Sequence, residues 1–297
     1  PKSIKNPVEV ENERIAHIKD GVALTKFICW LKKNVGKIPI TELSAGEKLY
    51  SFRAQQENFI DNSFDPIISY GIHAAINHYS ATPETDIAIE PGNFLLADTG
   101  GHYYEGTTDT TRTIVMGSVN DEQKKYFTAV LRGMLNLGNA KFRYGCTGVN
   151  LDYLARGPLW EMGQDFNHGT GHGVGYLLNV HEGPNSFRWR IIQGDNAVLE
   201  EGMITSDEPG YYVENQYGIR HENLLVCKKA EKTTFGQFMC FEHLTMVPFD
   251  LDAVVPELMT VQERALLNNY HAQVYKKISP YLEEEEKEWL KEATREI

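Results

Sequence analysis

Three histidines stand in a glycine-rich stretch that gives them no structural work of their own: Asn167-His168-Gly169-Thr170-Gly171-His172-Gly173-Val174-Gly175, then Val180-His181-Glu182-Gly183-Pro184. His168 and His172 have the spacing of one helix face, but the intervening glycines argue for strand or loop whose backbone lies close against a neighbour. The stretch reads as one wall of a site; the plain alternative is a glycine-rich turn with incidental histidines. Two aspartates, Asp98 and Asp109, interrupt the strand-like run from Phe94 to Val115. Aspartate is a poor strand former, and two carboxylates desolvated side by side need a cation to neutralise them, unless both are exposed at strand ends. Glu208 and Glu222 repeat the pattern in the apolar runs Met203–Glu208 and Tyr217–Cys227. Four carboxylates with one imidazole suit manganese, cobalt, iron or zinc more than calcium.

The elements that must hold these residues follow from periodicity and punctuation. Asn6-Pro7 opens a helix running to about Val35, and Thr41 caps a second reaching about Gln56. Phe64 begins strand sequence, and Phe94–Val115 reads as paired strands around a Gly100-Gly101 turn. Asn120 with Gln123 predicts a capped helix to about Phe142, and Asn150 predicts another ending near Gly157-Pro158 or Gly163. Residues 185–196 read as a polar loop, Pro209-Gly210 as a strand stop, and 217–227 as one continuous strand. Two amphipathic helices follow. Leu266, Leu267, Tyr270 and Val274 mark one, and Leu282, Trp289 and Leu290 the other; they either pack on the domain or mediate dimerisation. Glu283–Glu286 reads as a solvated helix face.

With 297 residues the chain can bury a large core, and 41 acidic against 29 basic side chains give a net charge of −12. Such a balance disfavours nucleic acid and anionic membrane surfaces as partners. Cys29, Cys146, Cys227 and Cys240 have neither metal-site nor disulfide-scaffold spacing, and read as reduced core thiols of a cytoplasmic protein. No leader or membrane span is visible. The chain opens on Pro1, as a piece of something longer would.

The ordered set Asp98, Asp109, His172, Glu208 and Glu222, in the settings Ala-Asp-Thr-Gly, Thr-Thr-Asp-Thr-Thr-Arg, Gly-Thr-Gly-His-Gly-Val-Gly, Asp-Glu-Pro-Gly-Tyr-Tyr and Gly-Ile-Arg-His-Glu-Asn, resembles the pita-bread metallopeptidases. Asn77-His78-Tyr79, His168, Val180–Pro184, Arg220 and the tail from Phe241 onward resemble the Xaa-Pro aminopeptidases (aminopeptidase P) of eukaryotic type. The resemblance implies an α+β fold, a curved antiparallel sheet covered by helices. Residues 1–245 would form the catalytic domain and 246–297 a C-terminal helical extension, with further N-terminal domains lying outside the chain.

It also implies a role for each matching residue. Asp109 and Glu222 would bridge two divalent ions, manganese foremost with zinc or cobalt as alternatives; Asp98 would complete one ion, and His172 with Glu208 the other. A metal-bridging hydroxide would attack the peptide carbonyl with Glu208 as proton shuttle. His78 and His181 would donate hydrogen bonds to the substrate carbonyl and the oxyanion, and His168 would line the pocket near proline. His78 could instead be a histidine packed beside Tyr79. Arg220 would orient carboxylates by bidentate pairing, or else serve as a structural partner of a buried acid. The implied activity is release of the first residue from peptides with proline second. The alternatives are an Xaa-Pro dipeptidase (prolidase) and a non-catalytic peptide-binding scaffold, the latter expected to have lost a ligand. His73, His102, His221 and His243 are given no catalytic role. A homodimer is implied, and Tyr211, Tyr212 and Tyr217 read as core or pocket wall.

Overall fold

A computed structural model describes residues 2–297. The first helix, Pro7–Asn34, begins at a reciprocal cap: the Asn6 side chain accepts from the Val8 and Glu9 N–H groups, and Glu9 returns a carboxylate to the Asn6 N–H. Thr41 caps the second helix, Glu42–Arg53. Both pack on a three-stranded antiparallel sheet whose centre is Asn93–Thr99, flanked by Ile67–Tyr70 and Thr110–Met116. Alternation along these strands divides the labour. Leu95, Ala97 and Ile114 bury with Leu24, Phe27, Leu31 and Leu49 of the two helices. Phe94 and Asp98 point to the other face, opposite Val115 and Thr111.

A second sheet takes the order Ile204–Asp207, Asn223–Thr233, Gly236–His243, Lys141–Arg143. The helix from Asp121 stops at Gly138 rather than near Phe142, because Lys141–Arg143 is drawn into this sheet as an edge strand against Phe238–Cys240. Thr147 then opens a short turn of helix, and Tyr153–Trp160 runs through Pro158 before ending. Its backbone lies so close to the Asp121–Gly138 helix that a Cβ on Gly133 would sit 2.1 Å from the Ala155 carbonyl oxygen. Within 185–196, Ser186–Phe187 is not loop but pairs with Gly171–His172.

Both C-terminal helices, Val261–Ile278 and Glu284–Ala293, pack on the rest of the chain. Leu267, Tyr270, Val274, Ile278 and Leu290 belong to the same buried cluster as Phe94, Val115, Phe127 and Leu131. All four cysteines are unpaired, with Cys29 and Cys227 buried. Among the described residues no helix is long and apolar enough to cross a membrane.

Candidate metal centre and peptide cavity

The hairpin that carries Glu208 and Glu222 is broken at those two residues. Asp207 pairs with Asn223 on one side of the break, and Gly210 with Arg220 on the other. The paired numbers sum to 430 in both cases, so the register is unshifted and Glu208 stands opposite Glu222. Pro209 causes the break: it has no N–H to give the ladder, so Pro209-Gly210 interrupts the strand without ending it, and Gly210–Val213 resumes. The partner strand breaks with it into Tyr217–Arg220 and Asn223–Thr233, where one continuous strand was expected. Backbone groups freed by the break find new partners. The Glu208 N–H donates to the Thr170 carbonyl (2.8 Å) and the Glu222 N–H to the Thr111 carbonyl (3.0 Å).

Those two bonds tie the hairpin to the histidine stretch and to the aspartate strands. Thr111 also donates its hydroxyl to Glu222 Oε2 (2.7 Å), and the Thr113 hydroxyl bridges the Arg220 N–H and carbonyl. Asp98 lies in the central strand opposite Thr111, and Asp109 immediately precedes Thr110 at the start of the neighbouring strand. Neither aspartate is an exposed strand end; Asp109 is buried.

Gly171 and Gly173 are there because other backbones press on them. A Cβ on Gly171 would lie 1.8 Å from the Ser206 carbonyl oxygen, and one on Gly173 would lie 2.0 Å from that of Glu182. His172 Nδ1–H donates to the Gly173 carbonyl (2.9 Å), which leaves Nε2 facing Asp109 Oδ2 and Glu208 Oε1, each at 3.4 Å. Ser206 accepts the His172 N–H and donates to Glu208 Oε1 (3.0 Å), holding those two residues in one frame.

All five ligand candidates, with His78, His168, His181 and Arg220, line one cavity of about 580 Å³. Ligand atoms of Asp109, His172 and Glu222 lie within 4.8 Å of one another. Glu208 joins them through His172, while Asp98 stands off, its Oδ2 held by Arg220 Nη2 at 2.6 Å. Arg220 makes this contact with one nitrogen, not the expected fork; its Nη1 donates to the Tyr212 hydroxyl (2.7 Å). Tyr212 in turn donates to His168 Nε2 (2.8 Å), and His168 Nδ1–H donates to the Gly169 carbonyl (2.7 Å). With both nitrogens engaged, His168 offers the cavity only its ring. His181 crosses His172 edge to face at 4.2 Å, and His78, also lining the cavity, is exposed. The ring stacked on Tyr79 is His73, not His78.

Charge in this cavity is unbalanced. Burial first, then repulsion from Asp109, Glu208 and Asp98, drives the Glu222 carboxyl well above the ordinary range. Burial raises Asp98 against the opposing pull of Arg220. Burial lifts Glu208 to about 7 although His172 opposes it. For His172, burial pulls downward, yet Asp109 and Glu208 outweigh it and raise the imidazole to about 9. Burial beside Arg220 drops His168 to about 3, so it stays neutral. Asp109 Oδ1 is buried with no hydrogen-bond partner. Four oxygen donors repelling one another, one of them orphaned, with an imidazole nitrogen aimed among them, fit two divalent cations: four negative charges would meet four positive.

Three supporting residues are not evident from sequence. Tyr212, which packs against the core, also links His168 to Arg220 through its hydroxyl. Arg156, which looks like an ordinary helix arginine, is buried with its Nε on Asp152 and its Nη2 on the His168 carbonyl (2.8 Å). Asp152 accepts from Thr170 Oγ1 (2.5 Å), so this pair secures the strand between His168 and His172. The only sequence signal is their i, i+4 spacing, which surface pairs share.

Comparison with known proteins places this architecture. The model of metallopeptidase family M24 matches residues 11–229, and that of the C-terminal region of peptidase M24 matches 237–297. The chain belongs to metallopeptidase family M24. Its pita-bread fold is shared with an M24-like structure, the X-prolyl aminopeptidase of Caenorhabditis elegans, described as a cytosolic enzyme with a di-nuclear active site. That likeness has a TM-score of 0.94 at 38% identity, over 100% of this chain and 49% of that one. An Xaa-Pro dipeptidase from Bacillus anthracis is similar with a TM-score of 0.68 at 29% identity, over 84% of this chain and 64% of that one. In sequence, a probable Xaa-Pro aminopeptidase P from Paracoccidioides brasiliensis (strain Pb03) is 43% identical over 303 residues, covering 100% of this chain and 49% of the relative. This M24 chain thus spans about half the length of the curated relatives it matches.

Proposed function

We propose that this M24 chain is the catalytic portion of a cytoplasmic Xaa-Pro aminopeptidase, which removes the first residue from peptides with proline second. The observation that carries the reading is the meeting of Asp109, His172, Glu208 and Glu222 in one cavity with Asp98 and three further histidines. Asp109 and Glu222 would bridge two ions, Asp98 would serve one, and His172 with Glu208 the other. Manganese is the assigned metal, with zinc or cobalt as alternatives. When bound, the ions supply Lewis acidity, which polarises a carbonyl and acidifies water.

The chain's own residues do the rest. Glu208, whose Oε1 lies 3.4 Å from His172 Nε2 and accepts from Ser206, is placed to take and return a proton at the scissile amide. His181 and His78, which line the same cavity, donate hydrogen bonds to the carbonyl as it becomes an oxyanion. His168, held neutral between Tyr212 and Gly169, presents an apolar ring suited to the proline. Arg220 fixes Asp98 and neutralises it in part. We set the domain boundary near residue 245 and propose that the protein forms a homodimer. The peptide substrates need neither nucleic acid nor membrane.

The test is cleavage by the manganese-loaded chain of an Xaa-Pro-Yaa tripeptide against an Xaa-Pro dipeptide, with a chelated control. Release of the first residue from the tripeptide, lost on chelation, is expected. Cleavage confined to the dipeptide would make the chain a prolidase, a reading the Bacillus anthracis dipeptidase keeps in view. A chain that binds peptide but cleaves neither would be a scaffold.

A further inference from the structure

His78 sits on an irregular wall of the cavity. Residues 76–80 are irregular, and Ile72, Ile76 and His78 are exposed. A side chain that must meet a developing oxyanion cannot wander by an ångström without a large loss of rate. The tether comes from outside the loop. Glu42, the first residue of the helix Glu42–Arg53, has a fully buried side chain whose carboxylate takes three donors from this one segment. Tyr70 N–H donates to Oε1 at 2.7 Å, His73 Nδ1–H reaches both oxygens at 3.0 Å, and the Tyr79 hydroxyl donates to Oε2 at 3.0 Å. His73 and Tyr79 stack with ring centres 4.2 Å apart, closing the chain into a loop that starts and ends on Glu42. His78 lies within that closed loop, adjacent to its final anchor.

We infer that Glu42 is the positioning residue of His78, acting with His73 and Tyr79 as a clamp that fixes the loop against the cavity. Glu42 touches no substrate; its effect passes through His78, and the inference rests on the reading of His78 as a donor to substrate. Ordering the loop in advance removes conformational entropy that would otherwise be lost at each turnover. Gly218 adds a steric stop on the same segment, since a Cβ there would meet the Ala74 carbonyl oxygen at 1.8 Å.

The experiment is a double-mutant cycle on the manganese-loaded protein with an Xaa-Pro-Yaa tripeptide, combined with hydrogen exchange of the 71–79 amides. Glu42→Gln is expected to lower kcat about ten- to hundredfold, to speed exchange in 71–79, and to leave bound manganese unchanged. In the His78→Ala background the same substitution is expected to change kcat less than about twofold, because the group it positions is gone. Tyr79→Phe, which removes one hydroxyl and is the milder change should Glu42→Gln fold poorly, is expected to show a smaller loss with the same disappearance. Equal losses in both backgrounds, or unchanged kcat in Glu42→Gln, would overturn the clamp while leaving His78 its role. If His78→Ala alone were neutral, the substrate role of His78 would fall and the clamp with it.

Discussion

Glu208 and Glu222 face each other across a hairpin whose ladder is interrupted between Asp207–Asn223 and Gly210–Arg220. Like charges directly opposite on paired strands destabilise a sheet, and burial makes the repulsion larger. Local energetics therefore work against this fold until cations arrive, and the metal-free protein carries the cost.

Removing one of the two charges follows from that opposition. Glu208→Gln should melt at a higher temperature than the parent when both are stripped with chelator, and at a lower one when both are manganese-loaded, because the variant loses a ligand. The ordering is read by thermal melts in the two conditions. Its turnover should fall by about 10²-fold or more, as for loss of a general acid–base group.

The pH dependence of the stripped protein has a definite sign. Glu208 is raised from 4.5 to about 7 and His172 from 6.5 to about 9, so in both cases the folded chain holds more protons than the unfolded. Their contribution is full below the unfolded values and is lost as pH rises through the folded ones. Metal-free protein should lose stability between about pH 5 and 9, whereas the loaded protein, whose ligands are already deprotonated, should not. Manganese binding should release protons across the same window, measurable by calorimetry in buffers of different ionisation enthalpy.

Arg220 holds Asp98 with one nitrogen and Tyr212 with another. Lysine keeps the charge but cannot reach both partners with a planar group. Arg220→Lys should retain the fold and lose about 10- to 100-fold in kcat/KM or metal affinity. Steady-state kinetics and a metal count on the same preparation separate the two.

Gly171 has no room for a methyl group, since the obstacle is the Ser206 carbonyl and not a flexible side chain. Gly171→Ala should cost ~1–3 kcal/mol by overpacking, seen as a lowered denaturant midpoint, and should displace His172 from Glu208.

Much of this was legible in the sequence, and the reasons are local. Asp98, Glu208 and Glu222 stand out because a carboxylate is out of place in apolar strand sequence unless it is exposed at a strand end or meets a cation. The glycines around His172 likewise announce a close approach. What the residues do not announce is register. Pro209 signals a missing N–H, but that the ladder resumes unshifted beyond it depends on the opposite strand. The end of the long helix at Gly138 depends on a sheet edge formed by residues a hundred positions later. Tyr212 reads as core or pocket wall; its hydroxyl's use comes from Arg220, eight residues away across the hairpin. Glu42 reads as an ordinary first-turn acid, and its three partners lie 28 to 37 residues downstream.

The most direct test of the central claim is a count of bound ions. Calorimetric titration of the stripped chain with manganese is expected to show two ions per chain, with at least one site lost in Asp109→Asn, whose side chain is proposed to serve both. A chain that takes up no manganese, or an Asp109→Asn variant that still binds two ions as tightly as the parent, would contradict the account.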